Sequence, residues 1–123
     1  MELNEITAKI IGAACKVHSA LGPGLLEEPY KQCLKHQLRK EGLKVFAEVT
    51  LPVLFDGTTI DIGYRLDLLV EDSVIVELKS VEALAPIHKI QLITYLKLSR
   101  KHLGLLINFN VVSLKKGIVR VIN

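Results

Sequence analysis

The sequence predicts a mixed α/β fold, in which helices cover both faces of a central sheet. The predicted order of elements is helix, helix, three strands, helix, strand, strand. The third strand, third helix and fourth strand form a crossover, which requires a parallel pair of strands and a right-handed connection. The chain has 123 residues, 50% of them hydrophobic and 24% charged. That length and composition predict a single globular domain over residues 1–123, too short to be two ordinary domains.

The N-terminal third of the chain predicts two helices. Apolar residues recur at helical spacing over residues 4–20. The sequence Leu-Gly-Pro-Gly at 21–24 then ends the first helix with strong breakers. A second helix is expected to start near Leu25, with Pro29 in its first turn, where proline is tolerated. Gly42 is expected to close it.

The middle of the chain predicts an antiparallel meander of strands. Residues 45–55 alternate between apolar and mostly polar side chains, which is the period of a strand. Asp56-Gly57 is a strong hairpin signal. The next strand is expected to carry one apolar face, and a third strand over 74–79 follows a short polar turn. The predicted face of the second strand consists of Ile60, Ile62, Tyr64, Leu66 and Leu68.

The C-terminal part predicts the helix and strands of the crossover. Pro86 opens a helix that runs from about Ile87 to Ser99. The continuous apolar run over 103–109 predicts a buried strand. A short final strand is expected over 118–122.

Composition narrows the classes of function and location. A net charge of +3 permits nucleic-acid binding without arguing for it. The apolar runs are too short and interrupted for a membrane span, and the acidic N-terminus lacks the basic start of a signal peptide. Cys15 and Cys33 have no metal-ligand spacing, so we expect two buried thiols in a reducing cytoplasm.

Charged residues interrupt the two strands around residues 64–79 and indicate a site. Side chains alternate along a strand, so Glu77 and Lys79 share one face of the third strand. If the intervening turn centres on Asp72, Asp67 lies opposite Glu77 with the Cβ atoms about 5 Å apart. Facing carboxylates repel, and a divalent cation with oxygen ligands would offset that repulsion. Lys79 would then lie beside the cation. A register slip of one residue would remove this arrangement.

The simpler interpretation of each charge on its own is structural. Glu77 and Lys79 fit solvated positions on an edge strand, and Asp67 fits a charge near a turn. The three charges together, inside strands rich in Val, Ile and Leu, favour a functional site.

Several motifs resemble those of PD-(D/E)XK nuclease-like proteins. Asp67 followed by Glu77-Leu78-Lys79 is similar to their D…(D/E)xK signature, and the predicted order of elements is similar to their core. More narrowly, the whole chain resembles the GxxExxY family, a small bacterial and archaeal group placed in that superfamily. The segments that carry this narrower resemblance are Gly24-Leu25-Leu26-Glu27-Glu28-Pro29-Tyr30, Gln91-Leu92-Ile93-Thr94-Tyr95-Leu96 and Leu106-Ile107-Asn108-Phe109.

The resemblance implies a nuclease that depends on Mg²⁺ or Mn²⁺ and acts on DNA. Asp67 and Glu77 take the metal-ligand positions, and Lys79 takes that of the catalytic lysine. Glu27 corresponds to the helix acid that supports the metal in RecB-type relatives. An alternative for Glu27 is a plain acidic residue at a helix start.

The resemblance also covers the third helix and the chain that follows. Gln91 and Tyr95 match a Q-x-x-x-Y element. Gln91 then reaches the active lysine or a phosphate, unless it is an exposed helix residue. Tyr95 either contacts nucleic acid or belongs to the core or its rim. Asn110 stands where glycine is usual, a departure expected to affect only a turn.

Basic residues outside the motif have two interpretations each. Arg65 shares the predicted face of Asp67, where it either contacts phosphate or neutralises the carboxylates. Lys115 and Lys116 are either solvated charges or phosphate contacts.

Two classes of function follow from the sequence. The leading hypothesis is a metal-dependent DNA nuclease. The alternative is a non-catalytic nucleic-acid-binding or assembly module that retains the fold. RNA is the less favoured substrate, since no RNA-binding aromatic motif is present. The short chain has no separate recognition domain, so a homodimer or a partner protein is expected to help grip DNA.

Overall fold

The secondary structure follows the predicted order. The computed structural model describes residues 1–123, apart from the side chain of Ile62. The elements are α1 Leu3–Leu21, α2 Glu27–Lys40, β1 Val45–Phe55, β2 Thr58–Val70, β3 Val74–Lys79, α3 Pro86–Ser99, β4 Leu103–Asn108, a 3-10 turn Leu114–Gly117 and β5 Ile118–Ile122.

The five strands form one sheet in sequence order, β1-β2-β3-β4-β5. All neighbouring pairs are antiparallel except β3 and β4, which are parallel with Lys79 opposite Asn108. Helix α3 supplies the crossover between these two strands, because a parallel pair cannot be joined by a tight hairpin. The predicted mixed α/β fold is confirmed.

Each face of the sheet has its own hydrophobic core. Helices α1 and α2 cover one face, where Ile10, Tyr30 and Leu34 pack against strand residues such as Val76. Helix α3 covers the other face, where Leu92 and Leu96 pack against Ile75 and Leu106. The carboxyl ends of the parallel strands β3 and β4 therefore lie between two helical layers.

Strands β1 and β2 change faces together at Glu48 and Asp67. Ala47 packs against the core under α1 and α2, whereas Val49 packs against the core under α3. Leu68 likewise packs against the core under α1 and α2, whereas Leu66 packs against the core under α3. The prediction that Leu66 and Leu68 share one apolar face is therefore wrong. The backbone of Glu48 has a φ of 54°, in the left-handed region, and this residue interrupts the regular alternation of β1.

One further residue of the predicted apolar face of β2 has no described side chain. The side chain of Ile62, which the sequence assigns to the same face, lies outside the described residues. The strand itself extends to Thr58, so the predicted hairpin at Asp56-Gly57 is present. Both turn residues have positive φ, 51° and 71°, as a tight two-residue hairpin requires.

The loop between α1 and α2 is held by Tyr30. Its fully buried ring stacks on Phe109 with the ring centroids 4.6 Å apart. Its hydroxyl donates a hydrogen bond to the Gly22 carbonyl at 2.5 Å and accepts one from the Leu25 amide at 3.2 Å. Because Leu25 belongs to this loop, α2 begins at Glu27, two residues later than predicted.

The exposure of the two cysteines and the character of the helices can be compared with the predictions of buried thiols and of no membrane span. Both thiols are free, but Cys15 is half-buried and Cys33 is exposed, so the prediction of two buried thiols is wrong. The reason is that α2 buries a stripe containing Tyr30, Leu34 and Leu38, and Cys33 lies outside it. Within the described residues, no helix has both the length and the apolar character that a membrane crossing needs.

Candidate active site

The β2–β3 hairpin has the predicted register. Leu68, Leu69 and Val70 pair with Val76, Ile75 and Val74, as a turn centred on Asp72 requires. The backbone ladder ends one step before Asp67 and Glu77. There, Asp67 Oδ2 accepts a hydrogen bond from the Leu78 amide at 2.9 Å. The Asp67 side chain thus replaces a backbone partner and is held against β3.

The Glu77 carboxyl group is buried and incompletely bonded. Glu77 is 7% exposed, and its Oε1 atom has no hydrogen-bond partner among the described residues. Burial, followed by hydrogen bonding and charge from Asp67, raises the pKa of Glu77 to about 10. The metal-free protein therefore holds a proton on this pair of carboxyl groups at neutral pH. An unpaired buried oxygen beside a second carboxylate fits a hard divalent cation, which takes oxygen ligands.

The acidic residues do not form a complete metal cage. Among the described residues, no three His, Cys, Asp or Glu side chains are arranged to hold a metal ion. The pair of Asp67 and Glu77 still fits Mg²⁺, which commonly uses one or two carboxylates and keeps several waters. Glu27 lies nearby but is exposed. Neighbouring protein atoms still displace part of the water around its carboxyl group, and this desolvation raises the pKa of Glu27. The charge of Lys79 opposes the rise, and the charge of Asp67 adds to it.

Lys79 occupies the end of β3, beside the carboxyl groups. Its charge lowers the pKa of both Glu77 and Glu27, against the larger effect of burial on each. Its backbone carbonyl accepts a hydrogen bond from the Phe109 amide at 3.0 Å, which extends the β3–β4 pairing past Asn108. The half-buried Lys79 side chain therefore projects from a fixed backbone.

Sequence reasoning missed Lys31, which lies at the centre of the acidic cluster. Its side chain is 11% exposed, and Nζ lies 2.9 Å from Glu28 and 3.7 Å from Asp67 Oδ1. It also forms an ion pair with Glu48. Burial disfavours the charge on Lys31, but hydrogen bonds to Glu48 and Glu28 and the charge of Asp67 outweigh burial and raise its pKa.

The spacing of residues in the second helix could have indicated that Lys31 lies near the site. Lys31 follows Glu27 by four residues, so both lie on the same side of α2. The signal for Glu48 was weaker, because its position opposite Asp67 depends on the pairing of β1 with β2. Ala47 pairs with Leu68 and Val49 with Leu66, and these two pairs bracket Glu48 and Asp67.

Tyr95 and Gln91 line an open cleft between α3 and β2. The Tyr95 ring lies 5.3 Å from the Tyr64 ring, centroid to centroid. Tyr95 is 6% exposed, and burial, followed by the charge of Glu77, raises its pKa to about 12. Gln91 shares the cleft, whose volume is about 210 Å³. Both members of the predicted Q-x-x-x-Y element therefore lie on the side of the sheet where Glu77 meets α3.

A family model of the PD-(D/E)XK nuclease superfamily matches residues 4–121. The chain belongs to the PD-(D/E)XK nuclease superfamily. Neither the curated proteins nor the solved structures contain a significant match. In this PD-(D/E)XK protein, Asp67 and the sequence Glu77-Leu78-Lys79 fit the pattern that names the superfamily, with Leu66 in place of the proline.

The other basic residues predicted to bind nucleic acid lie on two separate elements of this PD-(D/E)XK protein. Arg65 is exposed on β2, two residues before Asp67, and pairs with Thr50 through the backbone. Lys115 and Lys116 are exposed on the 3-10 turn. A Cβ atom on Gly117 would lie only 2.2 Å from the Asn108 carbonyl oxygen, so this turn packs closely on the end of β4. None of these three cations forms an ion pair within the described residues.

Two asparagines tie together the loops that border the motif of this PD-(D/E)XK protein. The buried Asn108 accepts hydrogen bonds from the Val81 and Asn110 amides at 3.1 and 3.2 Å. Asn110 accepts one from the Gly24 amide at 3.1 Å and donates one to the Val81 carbonyl at 3.3 Å. The prediction that Asn110 affects only a turn is therefore wrong, because its side chain links three segments.

Proposed function

We propose that this protein is a nuclease that hydrolyses phosphodiester bonds in DNA and requires Mg²⁺ or Mn²⁺. The observation that carries the proposal is the buried Glu77 Oε1 atom, which has no hydrogen-bond partner among the described residues and lies next to the carboxyl group of Asp67. A structural carboxyl group at this depth would normally be fully bonded, because an unsatisfied buried polar atom costs about 1–3 kcal/mol. A cation ligand would satisfy this oxygen.

In this proposal, Asp67 and Glu77 hold the cation, and Glu27 supports it from the start of α2. The bound cation would polarise the phosphoryl group and stabilise the charge that develops on the attacking and leaving oxygens. As a ligand, Glu77 would be deprotonated, and its proton would pass to solvent. The hydrogen bond from the Leu78 amide holds Asp67 beside Glu77.

The remaining residues act on water and on the DNA strand. Lys79 orients the attacking water and helps to remove its proton, as a positioned acid–base group does. Gln91 orients the phosphate group from α3. Flanking phosphates are proposed to bind to Arg65, Lys115 and Lys116. The nucleotide beside the site is proposed to contact Tyr95.

The narrower family and the cellular compartment are also part of the proposal. We propose that the chain is a GxxExxY family protein. The hydrogen bonds of Tyr30 to the loop that contains Gly24 and leads into Glu27 support this proposal. The free thiols of Cys15 and Cys33 support a reducing compartment such as the cytoplasm.

The second candidate function is a non-catalytic nucleic-acid-binding or assembly module. It is favoured by the exposure of Glu27 and by the incomplete metal cage among the described residues. In that case the pair of carboxyl groups would share a proton permanently and never bind a cation.

One experiment separates the two candidates. Purified protein is incubated with single-stranded and double-stranded DNA in Mg²⁺, Mn²⁺ or EDTA, alongside Glu77→Gln prepared identically. The nuclease proposal expects cleavage that requires the cation and is lost in Glu77→Gln. Binding of DNA without cleavage under any cation would support the binding module. Cleavage that persists in both EDTA and Glu77→Gln would overturn the nuclease proposal and indicate a contaminating enzyme.

A further inference from the structure

The cleft between β2 and α3 presents apolar side chains that lie outside the hydrophobic core. Tyr64, Ile87 and Ile90 are 50%, 62% and 54% exposed, respectively. Helix α3 buries Leu92 and Leu96 in the core instead. The remaining lining residues are Gln91, Thr94 and Tyr95. Exposed apolar side chains grouped around a cleft indicate a ligand or partner surface.

This cleft adjoins the proposed catalytic carboxyl groups. Tyr95 forms one wall, and the charges of Glu77 and Asp67 both act on its hydroxyl group. The Tyr64 ring packs against the Tyr95 ring with their centroids 5.3 Å apart, and Tyr64 precedes Asp67 by three residues on β2. Three residues of a strand span about 10 Å. At roughly 3.4 Å per nucleotide, that distance corresponds to about three nucleotide steps along a stacked strand.

We infer that this cleft binds an unpaired nucleobase of the substrate strand, close to the phosphate that is cleaved. The inference rests on the proposed nuclease function and names the form of DNA that the site accepts. The half-exposed Tyr64 ring offers a stacking surface, and aromatic stacking is the usual way in which proteins hold single-stranded bases. Ile87 and Ile90 supply the apolar wall on the side of α3.

Gln91 has enough polar atoms to contact a base edge as well as the phosphate group proposed above. Its amide carries one acceptor and two donors, and no hydrogen bond occupies them within the described part of the chain. A base inside a duplex is stacked and paired, so it must leave the helix to enter a cleft of this kind. Single strands, ends and flaps are therefore the substrates that fit best.

The backbone holds Tyr64 in place. A Cβ atom on Gly63 would lie 1.9 Å from the Leu51 carbonyl oxygen, so only glycine allows β2 to approach β1 this closely. Tyr64 pairs with Leu51 in the next step of the ladder, just before the register shift at Leu51/Val53. The stacking surface is thus part of a strand that packs closely against β1.

Equilibrium binding tests this inference separately from cleavage. Fluorescence anisotropy in EDTA compares an oligothymidine strand with the same strand carrying consecutive abasic sites, and with a blunt duplex. The wild type is expected to bind the intact strand about tenfold more tightly than the abasic strand, on the scale of one stacked base. Tyr64→Ala should lose that difference while its affinity for the abasic strand stays unchanged.

Two further variants make the result specific. Ile90→Ser should also weaken binding of the intact strand, because it changes the opposite wall of the cleft. Phe55→Ala removes another exposed aromatic ring, at the tip of the same hairpin but outside the cleft, and should leave binding unchanged. Thermal unfolding of each variant verifies that the fold is retained.

The outcomes distinguish the inference from the proposed function. Equal affinity of the wild type for intact and abasic strands overturns the base site even if the protein cleaves DNA. Discrimination that is lost in Tyr64→Ala supports the base site even if no cleavage is found in Mg²⁺ or Mn²⁺. Equal losses in Tyr64→Ala and Phe55→Ala, or no binding of any oligonucleotide, overturn the base site and leave the apolar surface to a protein partner.

Discussion

Lys31 Nζ lies 3.7 Å from Asp67 Oδ1 and joins α2 to the centre of the sheet. The same ammonium group contacts Glu28 on its own helix and Glu48 on β1. A single buried cation therefore neutralises charge from three elements. We propose that Lys31 positions Asp67 through this contact with Oδ1 and does not act on substrate.

Replacing Lys31 should destabilise the protein. Lys31→Met keeps most of the side-chain volume but leaves Asp67 and Glu48 without their cation. We expect the free energy of unfolding to fall by about 1–3 kcal/mol, the scale of a hydrogen bond to a charged group. Urea unfolding at low and high salt measures the change. Lys40→Met, at an exposed position on the same helix, should cost less than about 0.5 kcal/mol. Equal effects of the two substitutions would contradict a central role for Lys31.

Glu77 should make the stability of the metal-free protein depend on pH. Its pKa is raised from 4.5 to about 10, so its stabilising contribution is complete below pH 4.5 and is lost as the pH rises towards 10. Glu77→Gln mimics the protonated group and should remove this loss. At pH 8 the variant should exceed the wild type by more than about 1 kcal/mol, since one pKa unit corresponds to about 1.4 kcal/mol. Thermal unfolding in EDTA at pH 4 and pH 8 measures the difference, which should nearly vanish at pH 4.

A divalent cation should stabilise the wild type, more strongly at higher pH. Mn²⁺ must displace the proton from Glu77, so its apparent affinity should rise with pH. At a concentration of about one hundred times Kd, the stabilisation should reach about 2.7 kcal/mol. Differential scanning fluorimetry with and without Mn²⁺ measures the shift in Tm.

The matching variants locate the cation. Asp67→Asn should abolish most of the Mn²⁺ shift, whereas Asp61→Asn, at an exposed position on the same strand, should retain it. An unchanged Tm of the wild type at millimolar Mn²⁺ would argue strongly against a metal site.

Substitution of Lys79 should mainly affect cleavage, whereas substitution of Lys115 and Lys116 should mainly affect DNA binding. Lys79→Ala should slow cleavage by about 10²-fold or more, the scale of a positioned acid–base group. Its affinity for DNA should fall only modestly, since it is one cation among several. Lys115→Ala combined with Lys116→Ala should weaken binding and make its salt dependence shallower, because phosphate contacts release counterions. Single-turnover kinetics at saturating protein measure the chemical step, which should stay intact in the double variant.

Removing the Tyr30 hydroxyl should loosen the start of α2. Tyr30→Phe keeps the stacking on Phe109 but leaves the Gly22 carbonyl and the Leu25 amide without their partner. We expect a loss of about 1–2 kcal/mol in the free energy of unfolding and faster amide hydrogen exchange over residues 22–26. Tyr64→Phe, whose hydroxyl forms no hydrogen bond within the described residues, is the control. An unchanged exchange rate in Tyr30→Phe would mean that other contacts hold this loop.

The sequence was sufficient for the elements and for one local register. Strand periodicity and the polar turn at residues 71–73 place Asp67 near Glu77 because a short hairpin leaves few registers that bury its apolar side chains. The crossover followed from the order of strand, helix and strand alone. The motif residues at 67, 77 and 79 therefore could be predicted with their approximate geometry.

Tertiary structure alone decided the surroundings of those residues. Lys31 reaches Asp67 because α2 packs across β1 and β2, and no local pattern specifies that docking. Glu48 lies opposite Asp67 because β1 pairs with β2 in a register that joins Ala47 to Leu68 and Val49 to Leu66. Both strands also change faces at this step, which interrupts the alternation that the sequence suggests. Periodicity fixes which side chains lie together on one element, since backbone geometry is local. The distances between side chains of different elements depend on how the cores pack, which the sequence encodes only through the whole fold.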